Sequence, residues 1–272
     1  MRLLSLAVLV IVLVSAPRPV LGEVAGSITI AGNGPESIMI EKLARAFEKA
    51  HPRAYVDIQW NDNSKPLDLL KSAQAQVVVA GKEDAGLRAA RIGWDGIAVV
   101  THISNSTREI TTAQAAQLFS GKIKTWAELG GSDTLVLLLD RPKNRNIRDA
   151  FEQQLGITGQ IPDSAQVVKA DDKAIKTVVG TLPPMSAATF VSLGTALEAV
   201  ASGVAIRVLQ IDKVEAEEPT VKDGRYKLRR PVLLLSTNET NPVVDALVTF
   251  ALSPAGQQIV DTEGYTPLEQ KK

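Results

Sequence analysis

Apolar positions along the chain follow two alternating patterns: short unbroken runs, and longer stretches in which apolar residues recur every three or four positions. The short runs predict β-strands, and the recurring pattern predicts helices with one buried face. The predicted strands are at 27–31, 54–59, 76–80, 95–100, 135–139, 204–211 and 232–235. Because predicted strands alternate with helical segments, the pattern indicates an α/β sheet with crossover helices.

The helical segments have apolar faces that can be read directly. The face of the first consists of Ile40, Leu43, Ala44 and Phe47. A later helix carries Ile147, Ala150, Phe151 and Leu155 on one face. Pro35 suits the first turn of the first helix, where its missing N–H does no harm, with Asn33 or Gly34 as the cap. Two further helices are predicted to close the chain, at 241–252 and 254–261.

The N-terminus has the features of a secretory signal peptide. Arg2 is a basic start, residues 3–14 are apolar apart from one serine, and Gly22 precedes a plausible cleavage site at Glu23. A membrane span needs about 20 apolar residues, so this run is too short to be one. We therefore predict a signal peptide over residues 1–22, with a buried N-terminal helix or strand as the alternative.

Composition and charge narrow the function classes. The chain has no cysteine, so the cleavage point offers no thiol for a lipid anchor, and we expect a soluble periplasmic protein without a membrane span. The signal peptide contains two arginines and no acid, which leaves 28 basic and 30 acidic residues and a mature net charge of −2. This charge, with only 4% aromatic residues, argues against a nucleic-acid groove.

Signatures of catalysis and of metal binding are weak. His51 and His102 are the two histidines of the sequence, and neither lies in a metal-ligand spacing or near a nucleophile turn. The Gly-Lys pairs at 81–82 and 121–122 lack the other residues of a phosphate-binding P-loop. The acidic pair at 171–172 is typical of a helix start. We expect no enzymatic activity, no metal and no cofactor.

Several motifs follow one another in an order that resembles a known family. The apolar strand at 95–100 leads into a helical segment and a Gly- and Lys-containing stretch at 118–131. Further motifs follow at 190–194, 224–231, 251–258 and 264–268. Together they resemble the periplasmic phosphate-binding protein family (PstS-like), the solute receptors of phosphate ABC transporters.

The resemblance implies a two-lobed α/β periplasmic binding protein of type II, with a ligand cleft between the lobes. On that basis lobe one is expected at 24–100 plus 201–272, and lobe two at 101–200. It also implies a receptor that binds inorganic phosphate or a similar oxyanion and delivers it to an ABC transporter permease. We expect the protein to be a monomer.

The first candidate ligand loop joins the first strand to the first helix. Backbone amides at Asn33 and Gly34, with the hydroxyl of Ser37, are placed to hold an oxyanion at the positive end of the helix dipole. Family members tend to have small hydroxyl residues here, whereas Pro35 lacks an N–H and Glu36 would repel an anion. The alternative is a capped helix whose dipole is complemented by Glu36.

The second candidate region runs from 61 to 82 and includes a turn before the strand at 76–80 and the residues that follow that strand. In the family a Gly- and Ser-rich turn precedes a helix, and the strand carries an aspartate near its start and Ser-Arg at its end. Here Asn63 and Ser64 stand in the turn, Gln76 replaces the aspartate, and Lys82 follows the strand. Gln76 should weaken discrimination of hydrogen phosphate from sulfate. The alternative is an ordinary polar turn and a surface lysine.

The third candidate loop precedes the helix at 146–155. The family carries an arginine, then Ser-Gly-Thr, then Arg and Phe; Arg141, Arg148 and Phe151 match this spacing. Arg145, Asn146 and the following residue occupy the Ser-Gly-Thr positions, so two hydroxyl donors and one glycine are absent. Because a hydrogen bond to a charged group contributes about 1.5–3 kcal/mol, the change should weaken oxyanion binding unless Arg145 compensates.

Four basic residues lie within 141–148, at a helix start where cations oppose the dipole. Three interpretations remain open: an anion-binding cluster, an internal salt bridge and a solvated surface. Glu36 across the cleft is one candidate partner for this basic cluster, and such a pair would hold the lobes together without a ligand.

The sequence therefore predicts a secreted, PstS-like receptor with an altered oxyanion site. The alternative is a protein of the same fold whose pocket has degenerated and which acts as a partner-binding or sensory module. The predicted ligand-binding residues are Asn33, Gly34, Ser37, Asn63, Ser64, Lys82, Arg141, Arg145, Asn146 and Arg148.

Overall fold

The computed structural model describes residues 24–61 and 64–269, so the predicted signal peptide and Asn63 lie outside the described residues. The strands are β1 (Ala25–Gly32), β2 (Arg53–Trp60), β3 (Val77–Ala80), β4 (Arg88–His102), β5 (Glu109–Ile110), β6 (Leu137–Asp140), β7 (Gln166–Val167), β8 (Ala187–Ser192), β9 (Ile206–Val208), β10 (Gln210–Ile211), β11 (Arg229–Ser236) and β12 (Thr266–Pro267). The helices are α1 (Ser37–Ala50), α2 (Pro66–Lys71), α3 (Thr112–Phe119), α4 (Asn146–Leu155), α5 (Asp171–Gly180), α6 (Leu193–Ala201), α7 (Glu218–Asp223), α8 (Pro242–Leu252) and α9 (Pro254–Thr262).

One mixed sheet of ten strands runs through the molecule. Its order is β2-β1-β3-β11-β4-β8-β6-β7, and β9 and β12 also pair with β4. Strand β1 is parallel to β2 and β3, whereas β11 is antiparallel to both β3 and β4. The alternation of strands and helices predicted from the apolar pattern is therefore confirmed.

Strand β4 joins the two lobes. It is 15 residues long, and residues 88–96 pair with β11 whereas residues 97–101 pair with β8. The first half lies against a core around Phe47, and the second half contributes to a larger core around Trp126 and Phe151. A single strand therefore carries the chain from one lobe into the other.

The two cores use the apolar faces that the sequence predicted. Helix α1 buries Ile40, Leu43, Ala44 and Phe47 in the first core. The larger core also contains residues between 206 and 228, a part of the chain that the sequence analysis placed in lobe one. The lobe boundaries at 100 and 201 stay a prediction, because the two cores share β4 and no sharp division of the chain separates them.

Two local predictions are wrong. Helix α1 begins at Ser37 with Glu36 as its N-cap, so Pro35 lies in the turn before the helix and not in its first turn. The predicted strand at 204–211 is two short strands: β9 pairs with β4, and β10 pairs with β5 in a separate two-stranded sheet. Between them the N–H of Leu209 still donates to the carbonyl of Val99 in β4, and the chain changes its pairing partner at Gln210.

The two closing helices are confirmed, and each has the cap that its sequence provides. The side chain of Asn241 accepts from two N–H groups at the start of α8, and Ser253 accepts from Gly256 at the start of α9.

Within 24–61 and 64–269 no single helix has the length and apolar character to cross a membrane; α8 and α9 meet that test only as a pair, bent by 66°.

Candidate functional site

The three predicted loops meet around one cavity of about 90 Å³. Asn33 comes from the turn after β1, Gly81 and Lys82 follow β3, and Asn146 and Asp149 belong to the first turns of α4. The cavity thus lies at the carboxyl ends of β1 and β3, the edge at which open α/β sheets bind ligands. The sequence analysis expected the three loops at this edge of the sheet, but Arg141, Arg145 and Arg148, which it expected there, do not line the cavity.

Amide side chains tie the loops together at the cavity. The buried Asn33 donates through Nδ2 to the carbonyl of Asn144 at 2.6 Å and to that of Ser64 at 3.3 Å. Asn144 donates in turn through Nδ2 to the carbonyl of Ser64 at 3.0 Å. These bonds join the turn after β1, the segment before α2 and the segment before α4, so the loops are held in place by the protein itself.

Gly34 leaves space for two neighbouring side chains. A Cβ atom there would lie 2.0 Å from Glu36 Oε2 and 2.3 Å from Asn146 Oδ1, both far inside contact distance. The Gly34 carbonyl accepts a hydrogen bond of 3.0 Å from the indole Nε1 of Trp60. The absence of a side chain at Gly34 therefore lets the Glu36 carboxylate and the Asn146 amide pack against the turn.

The Glu36 carboxylate is fully buried, with 0% of its side chain exposed. It forms an ion pair of 2.5 Å between Oε1 and Nη2 of Arg230, whose side chain is also 0% exposed. Asn146 Nδ2 donates to both carboxylate oxygens, at 3.2 and 3.3 Å. The cationic partner of Glu36 is thus Arg230, and the predicted pairing of Glu36 with the basic cluster at 141–148 is wrong.

Arg230 also binds Asp95, which lies at the middle of β4. Its Nε and Nη2 atoms donate to Asp95 Oδ2 at 3.1 and 2.7 Å. The Oγ of Ser192 donates to the other oxygen of Asp95 at 2.7 Å. Arg230 therefore sits between two carboxylates, one from the turn before α1 and one from the strand that joins the lobes.

Burial and neighbouring charges shift the pKa values of Asp95, Arg230 and Tyr265. It raises the pKa of Asp95 to about 6, although Arg230 and the Ser192 hydrogen bond lower it, and the nearby Glu36 charge raises it further. For Arg230 burial lowers the pKa, but the two carboxylates outweigh burial and raise it overall. Burial, with the charges of Glu36 and Asp95, also raises the pKa of the neighbouring Tyr265.

The polar contacts continue into the second lobe. The N–H of Ser192 donates to Asp171 Oδ2 at 2.8 Å, and Arg141 Nη2 donates to Asp171 Oδ1 at 2.7 Å. We call the connected set the interlobe network; its members are Glu36, Arg230, Asp95, Ser192, Asp171 and Arg141. Asp171 opens α5, which confirms the predicted helix start at 171–172.

Arg141 is 1% exposed, and protein acceptors surround its guanidinium. Nε and Nη2 donate to the carbonyl of Phe190, and Nη1 donates to the carbonyls of Val168 and Ala170. With the Asp171 bond, these contacts use all five of its N–H donors. The structure thus places Arg141 inside the second lobe, and it does not line the cavity.

Arg148 and Arg145 likewise bind protein acceptors. Arg148 Nε donates to both oxygens of Asp140, at 2.9 and 3.0 Å, and its Nη2 lies 3.1 Å from Glu152 Oε1. Arg145 is buried and donates through Nη2 to the carbonyl of Lys169 at 3.0 Å. Among the three open interpretations of the basic cluster, these contacts favour internal pairing.

Of the other predicted residues, Lys82 lines the cavity, whereas Ser37 and Ser64 are not among its lining residues. Ser37 is half-buried and is the first residue of α1. The hydroxyl of Ser64 donates to the carbonyl of Asn61 at 2.8 Å. Lys82 is at the rim, with 56% of its side chain exposed, and its Nζ lies 3.5 Å from Asp149 Oδ2.

The proposed role of Gln76 in ligand discrimination is wrong. Gln76 precedes β3, whereas the cavity is at the carboxyl end of that strand. Its Oε1 accepts from the N–H of Thr29 at 2.8 Å, and its Nε2 donates to the carbonyl of Ala73 at 3.3 Å. Gln76 therefore holds the start of β3 in place.

Sequence reasoning missed Asp95 and Arg230. Both stand at the edges of apolar runs that form central strands, and charged residues are almost never fully buried unless they are paired. A charge inside a predicted strand is thus a signal for a buried partner. The signal does not identify the partner, because Asp95 and Arg230 are 135 residues apart.

Acidic groups outnumber basic ones around the cavity. Lys82 is the basic residue in its described lining, against the acidic Glu83, Asp84 and Asp149. Lys82 is moreover paired with Asp149. The lining of the cavity therefore does not provide excess positive charge for a bound anion.

Comparison with known sequences identifies relatives along nearly the whole chain. The model of a family described as a PBP superfamily domain matches residues 20–255. The phosphate-binding protein PstS of Bacillus subtilis is 22% identical over 259 residues, which are 92% of this chain and 83% of that protein. The phosphate-binding protein PstS 2 of Streptococcus pneumoniae is 31% identical over 112 residues, 39% of this chain and 38% of that protein.

Solved structures share the fold. A Clostridium perfringens structure with bound phosphate, provisionally assigned as a phosphate ABC transporter substrate-binding protein, has a TM-score of 0.78 and 25% identity and covers 90% of this chain and 100% of that one. An ABC-type phosphate transport receptor from Vibrio cholerae has a TM-score of 0.77 and 21% identity, with 89% and 100% covered. The predicted two-lobed α/β fold is therefore confirmed.

Proposed function

We propose, from the membership of this chain in the PstS-like family whose model is described as a PBP superfamily domain, that the protein is a solute receptor. Its ligand is phosphate or a related oxyanion, which it delivers to an ABC transporter. The observation that carries the proposal is the convergence of three separate loops on one cavity between the lobes. A relative of the same fold holds phosphate, which makes that anion the first ligand to test.

Within the cavity we assign ligand contact to Asn33, Lys82 and Asn146, which line it. Ser64 stands beside these residues, because Asn33 donates to its carbonyl, but its hydroxyl donates to the carbonyl of Asn61. Ser37 stays a predicted contact. The buried arginines of the third loop have a positioning role, since Arg141 and Arg148 bind protein acceptors and thereby fix the start of α4.

The compartment and the partner follow from the same proposal. Removal of residues 1–22 on export places the mature chain in the periplasm, where a monomeric receptor meets the permease of its transporter. The receptor role requires neither an enzyme active site nor a cofactor. Within the described residues no group of three or more His, Asp or Glu side chains is arranged to hold a metal ion.

A second candidate function is favoured by the acidic character of the cleft. The Glu36 carboxylate stands beside the cavity, and three of the four charged lining residues are acidic. A receptor fold that no longer binds an oxyanion would act as a partner-binding or sensory module. The two candidates differ in one measurable property, the affinity for oxyanions.

The deciding experiment is isothermal titration of phosphate into residues 23–272, after unfolding and refolding to remove carried-over ligand, with sulfate as the comparison. We expect phosphate binding that weakens about tenfold or more in Lys82→Ala, because a cation at the rim is lost. The matched control is Lys173→Ala, which removes an exposed lysine from α5. A folded protein that gives no heat with either anion would favour the second candidate.

A further inference from the structure

We propose that the carboxylate of Glu36 is an intramolecular ligand, which occupies the anion position between the lobes and lowers the affinity for external oxyanions. The proposal rests on the receptor function above and identifies the residue that sets its affinity. The groups that bind the carboxylate are the guanidinium of Arg230 and the side-chain amide of Asn146.

Ordinary helix capping does not explain the position of this side chain. Glu36 is the N-cap residue of α1, yet its side chain makes no cap hydrogen bond to the helix. The carboxylate turns away from α1 and meets Arg230 Nη2 at 2.5 Å and the Asn146 amide at 3.2 and 3.3 Å. An acidic side chain that only complemented the dipole of α1 would remain near solvent or bind its N–H groups.

The partners of Glu36 are those expected for a bound solute anion. Asn146 is the first residue of α4, where the helix dipole favours negative charge, and it belongs to the lobe opposite Glu36. Arg230 supplies a buried guanidinium from β11, beside the crossing strand. The carboxylate therefore makes, from within the chain, a charge-assisted contact that spans both lobes.

The cluster also keeps one unused donor. Nη1 of Arg230 has no hydrogen-bond partner within the described residues, although the side chain is 0% exposed. A Cβ atom at Gly81, which lines the cavity, would lie 3.2 Å from this nitrogen. A buried donor this close to the cavity lining is available to an incoming oxygen once the neighbouring carboxylate is gone.

The consequence is competition between Glu36 and the solute. An oxyanion that enters the cleft meets a carboxylate of like charge, which already occupies Arg230 and Asn146. Removal of that carboxylate should therefore increase oxyanion affinity, the opposite of what is expected for a residue that binds the ligand.

The test is isothermal titration with phosphate of four proteins: the wild type, Glu36→Ser, Glu36→Gln and Glu41→Ser. Glu36→Ser removes the carboxylate and leaves space and a hydroxyl group. Glu36→Gln removes only the charge and retains the shape of the side chain. The proposal can therefore still be tested if the serine variant does not fold. Glu41 is an exposed acid on the same helix, so Glu41→Ser controls for net charge.

We expect both Glu36 variants to bind phosphate at least tenfold more tightly than the wild type and Glu41→Ser to be unchanged. If the wild type binds phosphate and the Glu36 variants bind equally or less tightly, the internal-ligand proposal is wrong and the receptor function stands. If only the Glu36 variants bind, the internal ligand is established and the wild type is not an oxyanion receptor. Absence of binding in all four folded proteins overturns both proposals.

Discussion

At the residue scale, this protein buries arginines, among them Arg141 and Arg148, which the sequence analysis predicted to bind the ligand. Arg141 and Arg148 each lie in the interior and bind protein acceptors, and Arg230 lies between Glu36 and Asp95. A buried charge is tolerated only when it is paired and hydrogen-bonded. These arginines therefore hold the architecture of the cleft, and a change to one of them should be felt first as a change in stability.

Arg141→Met tests this directly. The substitution leaves Asp171 without its buried cation and the carbonyl of Phe190 without a donor, so we expect the free energy of unfolding to fall by about 3–5 kcal/mol. Urea denaturation followed by circular dichroism measures it. Arg225→Met is the matched control, because that side chain is 64% exposed and its loss should change stability little.

An Arg141→Met protein with wild-type stability but no phosphate affinity would contradict this assignment. That result would return Arg141 to the ligand site, where the sequence pattern first placed it.

At the element scale, helix starts and turns bring the lobes into contact. Helix α6 begins at Leu193, and its second residue, Gly194, packs against the turn at Gly264 that follows α9. A Cβ atom at Gly194 would lie 2.5 Å from the Gly264 carbonyl oxygen, and that turn has a positive φ of +79°. The backbones therefore meet at a distance that leaves no room for a side chain.

Gly194→Ala should destabilise the protein by about 1–3 kcal/mol, because the new methyl group overpacks a backbone contact. Gly180→Ala is the control. Gly180 is the last residue of α5, it is exposed, and a Cβ atom there would have no described neighbour within 4 Å. Alanine at a helix position is favoured over glycine, so the control should be neutral or slightly stabilising. Chemical denaturation of both variants measures the difference, and equal midpoints would mean that α6 and the turn are not tightly packed in solution.

At the scale of the whole molecule, the lobes are held together by the chain's own contacts. The Glu36–Asn146 bond, the Asn33–Asn144 bond and the interlobe network all join the two lobes. Receptors of this architecture are built to close around a ligand by hinge motion. If Glu36 acts as an internal ligand, we expect the free protein to be closed, because the carboxylate contacts Arg230 and the Asn146 side chain of the other lobe.

Small-angle X-ray scattering tests this arrangement. We expect the wild type in phosphate-free buffer to have a radius of gyration of about 18 Å, the value for a compact chain of about 250 residues, and to change little with phosphate. Glu36→Ser should be measurably larger without ligand and return to the compact value with phosphate. A wild type that shrinks on addition of phosphate would show instead that the free protein is open.

The sequence by itself determined the class of the fold, the family and the region of the candidate site. Apolar periodicity is a local property of the chain, so it predicted β1, α1, α4 and the closing helices, and the strand ends and helix starts marked where a ligand cavity would form. The sequence analysis was wrong at 204–211, where the chain passes from one sheet to another. It was also wrong at Gln76, which lies at the start of β3 and so at the end of that strand away from the cavity.

The tertiary structure alone decided which charges meet. Arg230 pairs with Glu36 and Asp95, which precede it by 194 and 135 residues, so no local spacing indicates the cluster. It also decided that Arg141 donates into its own lobe and that Glu36 turns from α1 to the opposite lobe. The direction of a side chain depends on the packing of distant elements, and that packing turned a predicted anion site into one that already holds a carboxylate.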